Sequence, residues 1–189
     1  MSPIELVATG FGLVSVWLTV RQNISCWPTG IVMVGLYIFV FYQARLYSDM
    51  GLQVIYVFLQ IYGWHNWLHG GRDRAELKVS RITPAGAGLW TSVATAGTAG
   101  LGYVMHQFTN AALPYWDAAT TVLSLIAQWL MAKKILECWV IWLTVDVLAI
   151  GIYTVKALYP TTVLYAVFLI LATMGLFAWK RTLRDPAPA

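Results

Sequence analysis

The most informative apolar segment of the chain runs from Cys138 to Val155 and reads CWVIWLTVDVLAIGIYTV. Asp146 is its single charged residue. About 20 apolar residues in a helix cross the roughly 30 Å hydrocarbon core of a bilayer. The segment is continuously apolar, without the alternation of polar and apolar residues that barrel strands show. A membrane helix is therefore favoured, because it satisfies every peptide group within the segment.

Apolar segments of similar length fill most of the remaining chain. Its 189 residues are 59% hydrophobic and 11% charged, with a mean hydropathy of +0.67, whereas about a quarter of the residues in soluble domains are charged. We therefore predict an all-α membrane protein, in which residues 1–189 form one membrane domain without a separate soluble domain. The seven predicted transmembrane helices are Ile4–Val20, Cys26–Tyr42, Met50–Trp67, Ala85–Met105, Ala118–Ala132, Cys138–Val155 and Thr161–Trp179.

Basic residues are distributed unevenly between the two sides of the predicted bundle. Arg45 and Lys156 fall on one side, and the other side receives Arg21, Arg72, Arg74, Lys78, Arg81, Lys133, Lys134, Lys180, Arg181 and Arg184. By the positive-inside rule the richer side is cytoplasmic, which places the amino terminus outside and the carboxyl terminus inside. Met1–Glu5 carries no basic residue, so we expect the first span to be retained rather than cleaved as a signal.

Composition and cysteine usage exclude several other kinds of partner. The pI of about 9.1 reflects basic residues in short connections at the lipid surface, and no nucleic-acid partner is expected. Cys26 and Cys138 fall at predicted cytoplasmic helix ends, where disulfides are rare, and no Cys/His spacing typical of zinc is present. We therefore expect neither a metal nor a cofactor.

The sequence repeats itself at a spacing of 112 residues. Between Thr9 and Trp67 this alignment gives 14 identities without a gap, where chance at this composition gives about five. It predicts two three-helix repeats, residues 5–68 and 117–181, in the same orientation. Residues 84–105 would then form a linker helix that restores the direction of the chain. Parallel repeats of this 3+1+3 kind are a transporter architecture, with the substrate site between the halves.

Polar and aromatic side chains recur at helical spacing on the third, fifth and sixth spans. Such faces point into a bundle rather than to lipid, and we take them as the candidate substrate site. Its residues are Gln53, Tyr56, Gln60, Trp64, Trp116, Asp117, Thr121, Gln128, Trp142, Asp146 and Tyr153.

Asp146 is the most informative single residue of this set. A carboxylate in the middle of a span costs about 2.5–3.5 kcal/mol on insertion scales and usually has a partner. No Lys, Arg or His lies at comparable depth in the sequence. The functional interpretation is that the partner is a cationic substrate, held also by cation–π attraction to nearby aromatic rings. The structural alternative is a protonated or hydrated Asp that is hydrogen-bonded to a neighbouring helix.

The remaining polar candidates each have a structural alternative. Gln53 and Gln60 offer amide donors and acceptors to a substrate, or hydrogen bonds between helices. Asp117 begins the fifth span, where it either stabilises the helix start or guards the outer entrance.

Two further sets of residues recur in the repeat. Gly63 and Gly175 are candidate points of flexure or of close helix packing. We predict an interfacial aromatic belt for the tryptophans near helix ends, which are Trp27, Trp67, Trp139 and Trp179.

Three ordered blocks resemble the PnuC family of bacterial vitamin transporters. They are LYSDMGLQVIYVFLQIYGWHNW from Leu46 to Trp67, PYWDAATTVLSLIAQWLMAKK from Pro114 to Lys134, and ECWVIWLTVDVLAIGIYTVKALY from Glu137 to Tyr159. The resemblance covers nearly the whole chain. It departs from the family pattern at Cys138, where Asn is usual, and at Asp146, where several members have Asn.

The resemblance implies a SWEET-like fold and a bacterial inner-membrane importer. Members carry nicotinamide riboside by facilitated diffusion, and a cytoplasmic kinase traps the substrate by phosphorylation. Relatives carry thiamine, riboflavin or nucleosides, and members form homotrimers. Nicotinamide riboside is therefore the first expected substrate and thiamine the second, since both are aromatic monocations.

Two other classes of function remain as alternatives, namely an intramembrane enzyme and a receptor subunit. The sequence contains no Ser/His/Asp set, no HExxH motif and no pair of carboxylates at common depth, which disfavours an enzyme. A receptor subunit would not need a polar face on three different spans. We therefore predict that the chain is not an enzyme.

Overall fold

A computed structural model describes residues 3–43, 45, 47–109 and 112–184. Within these ranges the chain is all-helical apart from its connections, as the sequence predicts. Leu46, which begins one of the three family blocks, and the two ends of the predicted single domain lie outside the described residues. The helices are α1 Pro3–Val20, α2 Cys26–Gln43, α3 Tyr47–His69, α4 Pro84–Phe108, α5 Pro114–Ala132, α6 Cys138–Val155 and α7 Tyr159–Arg184.

Four of these helices are long and apolar enough to cross a membrane, by length and composition, within the part of the chain described. They are α1, α2, α6 and α7. The remaining three helices have 23, 25 and 19 residues and carry more polar or small residues. Among these, α3 and α5 hold most of the polar candidates of the predicted site.

The chain divides into two compact units. The first unit contains the described residues up to Val79 together with Ala132–Lys134. The second contains Ser80–Met131 and the described residues from Ile135 onward. Helices α1, α2 and α3 therefore belong to the first unit, whereas α4, α5, α6 and α7 belong to the second.

Turn geometry recurs at the same spacing as the sequence repeat. Gln22 follows α1 with a φ of 55°, and Lys134 follows α5 with a φ of 53°. Arg45 follows α2 with a φ of 57°, and Ala157 follows α6 with a φ of 56°. Left-handed conformations are uncommon for residues other than glycine. Here they recur at two pairs of positions that are each 112 residues apart.

A pair of tryptophans forms the aromatic core of each unit. Trp27 and Trp67 meet edge to face with ring centroids 5.2 Å apart at 88°, and Trp139 and Trp179 do so at 5.4 Å and 89°. All four side chains are at most 2% exposed. The predicted interfacial belt is therefore wrong for these residues, because helix-end position does not reveal the direction in which a side chain points.

Glycines provide the space for these rings. A methyl group at Gly63 would collide with the ring of Trp27, and one at Gly175 would lie 2.5 Å from the ring of Trp139. Real Cβ atoms do not approach other heavy atoms so closely. Of the two interpretations of these glycines, the structure supports close packing.

The α5–α6 connection contributes residues to the first unit. Lys134 is 2% exposed, and its Nζ donates to the carbonyl of Leu77 at 2.8 Å. The same ammonium lies 3.4 Å from Glu76 Oε1 and 4.6 Å from the ring centroid of Trp67. Burial lowers the pKa of Lys134 below its ordinary value of 10.5, and Glu76 partly opposes that change.

Candidate functional site

Asp146 lies at the centre of α6 and is 3% exposed. Among the residues that the structure describes, none donates a hydrogen bond to its carboxyl group or forms an ion pair with it. One helical turn earlier, the Nε1–H of Trp142 is buried and also lacks an acceptor in the described chain. Buried polar groups are normally paired. This part of α6 therefore presents an acceptor and a donor that a bound molecule or water could use.

Asp117, on α5, has a partner that the sequence does not reveal. Its two carboxylate oxygens lie 3.1 and 3.2 Å from Nζ of Lys156, which follows α6. The two side chains are 25% and 29% exposed. The sequence predicts both residues on the outer side, but 39 residues separate them, and no pattern connects them. The acid therefore joins the beginning of α5 to the end of α6.

The hydroxyl donors of α5 are directed to their own helix. Thr121 donates to the carbonyl of Asp117 at 2.9 Å, and Ser124 donates to the carbonyl of Thr120 at 2.6 Å. Their oxygens can still accept hydrogen bonds. Gln128, further along the same helix, is 7% exposed and has no hydrogen-bond partner within the described ranges.

Two aromatic candidates of the second unit differ in their surroundings. Tyr153 of α6 stacks on Tyr165 of α7, with ring centroids 5.4 Å apart and an angle of 24° between the rings. Trp116 is 53% exposed. Tyr165 is not among the predicted residues, because nothing in its own helix marks it as part of a polar face.

The first unit holds the four candidates of α3. Gln60 is 7% exposed and has no hydrogen-bond partner among the described residues. It packs on Gly30 of α2, where an added Cβ would lie 2.5 Å from its Nε2. Gln53 and Tyr56 are half-buried, while Trp64 is exposed.

The predicted site residues therefore divide between the two units. The second unit contains Trp116, Asp117, Thr121, Gln128, Trp142, Asp146 and Tyr153. An open groove of about 410 Å³ also lies in this unit, lined by Ala94, Thr95, Thr98, Ala99, Tyr115 and Leu123. The groove contains none of the predicted residues and lacks charged groups, so we do not regard it as the substrate site. Across the described ranges, no three His, Cys, Asp or Glu residues could hold a metal together.

A family model described as Nicotinamide mononucleotide transporter matches residues 2–181. This chain belongs to the nicotinamide mononucleotide transporter family. The nicotinamide riboside transporter PnuC of Escherichia coli strain K12 is 28% identical over 210 residues, covering 98% of this chain and 88% of that relative. The riboflavin/roseoflavin transporter RibM of Streptomyces davaonensis is 26% identical over 188 residues, covering 97% and 88%.

A solved structure shows the same architecture. The crystal structure of the vitamin B3 transporter PnuC superposes with a TM-score of 0.76 at 27% identity, covering 96% of this chain and 82% of that chain. Membership of the PnuC family, expected from three sequence blocks, is confirmed. The family and these relatives are membrane transporters of vitamins rather than enzymes, which agrees with the function class predicted from the sequence.

Proposed function

We propose that this chain imports a small aromatic cationic vitamin by facilitated diffusion, with nicotinamide riboside as its first substrate. The observation that carries the proposal is Asp146, a buried acid at mid-helix without a partner in the described chain. An unpaired charge at this depth is costly. A pyridinium or thiazolium cation would offset that cost.

Aromatic residues near the acid support the same class of substrate. Trp142 lies on the same face of α6, one turn from Asp146, and offers a free indole N–H. Indole faces attract cations and stack on planar rings. We therefore assign substrate contact first to Trp142, Asp146 and Gln128. The other four predicted residues of the second unit, which are Trp116, Asp117, Thr121 and Tyr153, would form the outer part of this site. The four candidates of α3 in the first unit stay separate candidates for substrate contact.

Riboflavin is a third candidate substrate, because RibM is similar over nearly the whole chain. A neutral isoalloxazine ring would gain nothing from an ionised Asp146, so we rank it below the cations. Thiamine remains the alternative from sequence resemblance. Its thiazolium cation fits the same charge argument as nicotinamide riboside.

The transport mechanism that we propose is alternating access between two parallel three-helix repeats in a SWEET-like 3+1+3 arrangement. The matched turns after α1 and α5 and after α2 and α6 support two equivalent halves. Helix α4 would supply the odd crossing that restores chain direction. Substrate would move down its concentration gradient.

The cellular setting follows from the family resemblance and the distribution of basic residues. We propose a homotrimer in the bacterial inner membrane, surrounded by lipid, with the amino terminus outside and the carboxyl terminus in the cytoplasm. A cytoplasmic kinase would phosphorylate the imported vitamin and prevent its return. That enzyme need not touch the transporter.

A parallel titration tests the substrate assignment. Purified protein is titrated with nicotinamide riboside, thiamine and riboflavin, and both the heat of binding and the melting temperature are measured. A ligand that binds the folded state raises its stability. We expect saturable binding of nicotinamide riboside and uptake of the labelled compound into proteoliposomes. Binding without uptake would instead support a receptor, and chemical conversion an enzyme.

A further inference from the structure

The ion pair between Asp117 and Lys156 joins two helix ends of the second unit. Asp117 is the fourth residue of α5, and Lys156 directly follows α6. The ammonium lies 3.1 and 3.2 Å from the two carboxylate oxygens, so a single cation occupies both of them. Among the residues that the structure describes, neither side chain has another charged partner. The predicted orientation places this pair on the external side of the membrane.

The pair is open to solvent. The side chains of Asp117 and Lys156 are 25% and 29% exposed, and Trp116, next to the acid in the chain, is 53% exposed. Ion pairs in contact with water contribute little net stability, because their gain in charge attraction is small and both side chains lose freedom. A dissolved cation can therefore compete with the lysine for the carboxylate.

The backbone at Lys156 is fixed, whereas its side chain is long and flexible. The backbone N–H of Lys156 donates to the carbonyl of Ile152 at 3.0 Å, and that of Leu158 donates to the carbonyl of Tyr153 at 2.8 Å. These hydrogen bonds close the end of α6. The four-carbon stem of a lysine lets its ammonium leave a partner while the backbone stays in place. Lys156 is thus a cation tethered beside the acid.

Aromatic residues adjoin both members of the pair in the chain. Trp116 precedes Asp117, and Tyr153 lies about one turn before Lys156. Tyr153 stacks on Tyr165 of α7, with ring centroids 5.4 Å apart and an angle of 24° between the rings. Aromatic faces attract cations and stack on planar rings. An aromatic vitamin cation therefore gains both attraction to the acid and stacking in this region.

We propose that Lys156 is a specificity-determining residue, which competes with the vitamin cation for Asp117 at the outer entrance. This inference rests on the proposed function. In the empty transporter the ammonium neutralises the acid. An arriving vitamin cation displaces the ammonium, because it also stacks on aromatic rings, whereas an inorganic cation cannot stack.

The vitamin then continues to Asp146, which lies ten residues before Lys156 in the chain, or about 15 Å along a helix. Once the vitamin has left Asp117, the lysine returns to the carboxylate, so the acid does not retain the vitamin at the entrance. The displaced ammonium stays attached to the chain, and only the vitamin crosses the membrane. The competition therefore alters the rate of entry and leaves the transport as facilitated diffusion.

Stopped-flow tryptophan fluorescence of the purified protein tests the competition. The probes are nicotinamide riboside and its reduced dihydro form, which has nearly the same shape and no charge. We expect Lys156→Gln to raise the association rate constant of the cation about two- to fivefold, because Asp117 is then unpaired. The rate constant of the uncharged form should not change. Lys156→Arg, which keeps the charge, should behave as the unmodified protein.

Two further variants separate the competition from a general effect of charge or folding. Asp117→Asn leaves the lysine unpaired and should lower the rate constant of the cation about two- to fivefold. In that background Lys156 no longer competes for an acid, so Lys156→Gln should raise the rate constant less than it does beside Asp117. Arg45→Gln removes a second charge on the predicted external side, at an exposed residue, and should leave both rate constants unchanged.

The outcomes distinguish this inference from the proposed function. Equal rate constants for the cation in Lys156→Gln and in the unmodified protein would overturn the competition while leaving vitamin transport intact. Equal changes for the charged and uncharged probes would also overturn it, because a merely structural ion pair would affect both alike. If calorimetry detects no binding of nicotinamide riboside to the unmodified protein and proteoliposomes show no uptake, the proposed function and this inference are both overturned.

Discussion

At the scale of single residues, Asp146 and Asp117 differ in how much of their role the sequence reveals. The position of Asp146 in the middle of an apolar segment predicts a functional role, because acids at that depth are costly. Its burial and the free N–H of Trp142 agree with that interpretation. The pairing of Asp117 with Lys156 could not be predicted, because ion pairs between distant segments depend on how helices meet.

Removal of the Asp146 carboxyl group should weaken binding of a cationic vitamin. Truncating one partner of a buried charge pair costs about 2–5 kcal/mol, so we expect Asp146→Ala to lower affinity more than tenfold. The protein should still reach the membrane, because the substitution removes an unpaired buried acid. Affinity is measured by titration calorimetry with Asp49→Ala as the matched control. Unchanged affinity in Asp146→Ala would reject the counter-ion role.

Lys134 should make stability depend on pH in the alkaline range. Burial lowers its pKa below 10.5, so between the lowered and the ordinary pKa the unfolded chain binds more protons than the folded one. Stability should therefore rise with pH across this window. Thermal unfolding in detergent at a series of alkaline pH values below 10.5 measures the rise. Lys134→Met should flatten it, while Lys133→Met, which retains Lys134, should preserve it.

At the scale of elements, the continuously apolar segments predict the helices well and the directions of their side chains less well. The bounds of α6 agree with the prediction at both ends, and α2 extends one residue beyond it. The tryptophan cores contradict the predicted interfacial belt, because a position near a helix end does not reveal the direction in which a side chain points. The left-handed turns at Gln22 and Lys134 also carry no sequence signal, since neither residue is glycine.

Alanine substitutions at Gly63 and Gly175 should distinguish the two interpretations of these glycines, which are points of flexure and close helix packing. We expect Gly63→Ala and Gly175→Ala to destabilise each unit by about 1–3 kcal/mol, as overpacking of a rigid core does. Gly151→Ala in α6 is the matched control, because nothing lies within 4 Å of a Cβ there. Thermal unfolding measures the stability of the three variants, so that the two core variants can be compared with the control. Equal stability of all three would contradict the packing interpretation.

At the scale of the whole molecule, composition and the 112-residue repeat are enough to predict an all-helical membrane transporter. The family comparisons confirm that class. Substrate choice is harder to read from sequence, because relatives similar over nearly the whole chain carry chemically different vitamins. The distribution of basic residues predicts the orientation of the chain in the membrane. This predicted orientation can be tested directly.

Cysteine labelling should report the predicted orientation. The native Cys26 and Cys138 are 3% and 0% exposed, so they should react little with a membrane-impermeant maleimide. Arg45→Cys should be labelled in intact cells, whereas Arg74→Cys should be labelled only after the membrane is opened. Both native residues are exposed. Labelling of Arg74→Cys in intact cells, with Arg45→Cys labelled only after the membrane is opened, would show that the orientation is the reverse of the predicted one.

The contribution of Lys134 to the first unit has a consequence for biosynthesis. Asn66 donates to the carbonyl of Ala132 at 2.8 Å, and the Lys134 ammonium reaches Leu77. During translation these partners emerge from the ribosome only after the fifth helix has been made. Until then, the carbonyl of Leu77 and the ring of Trp67 lack their contacts with the Lys134 ammonium, so the first unit is complete only after Lys134 has been synthesised.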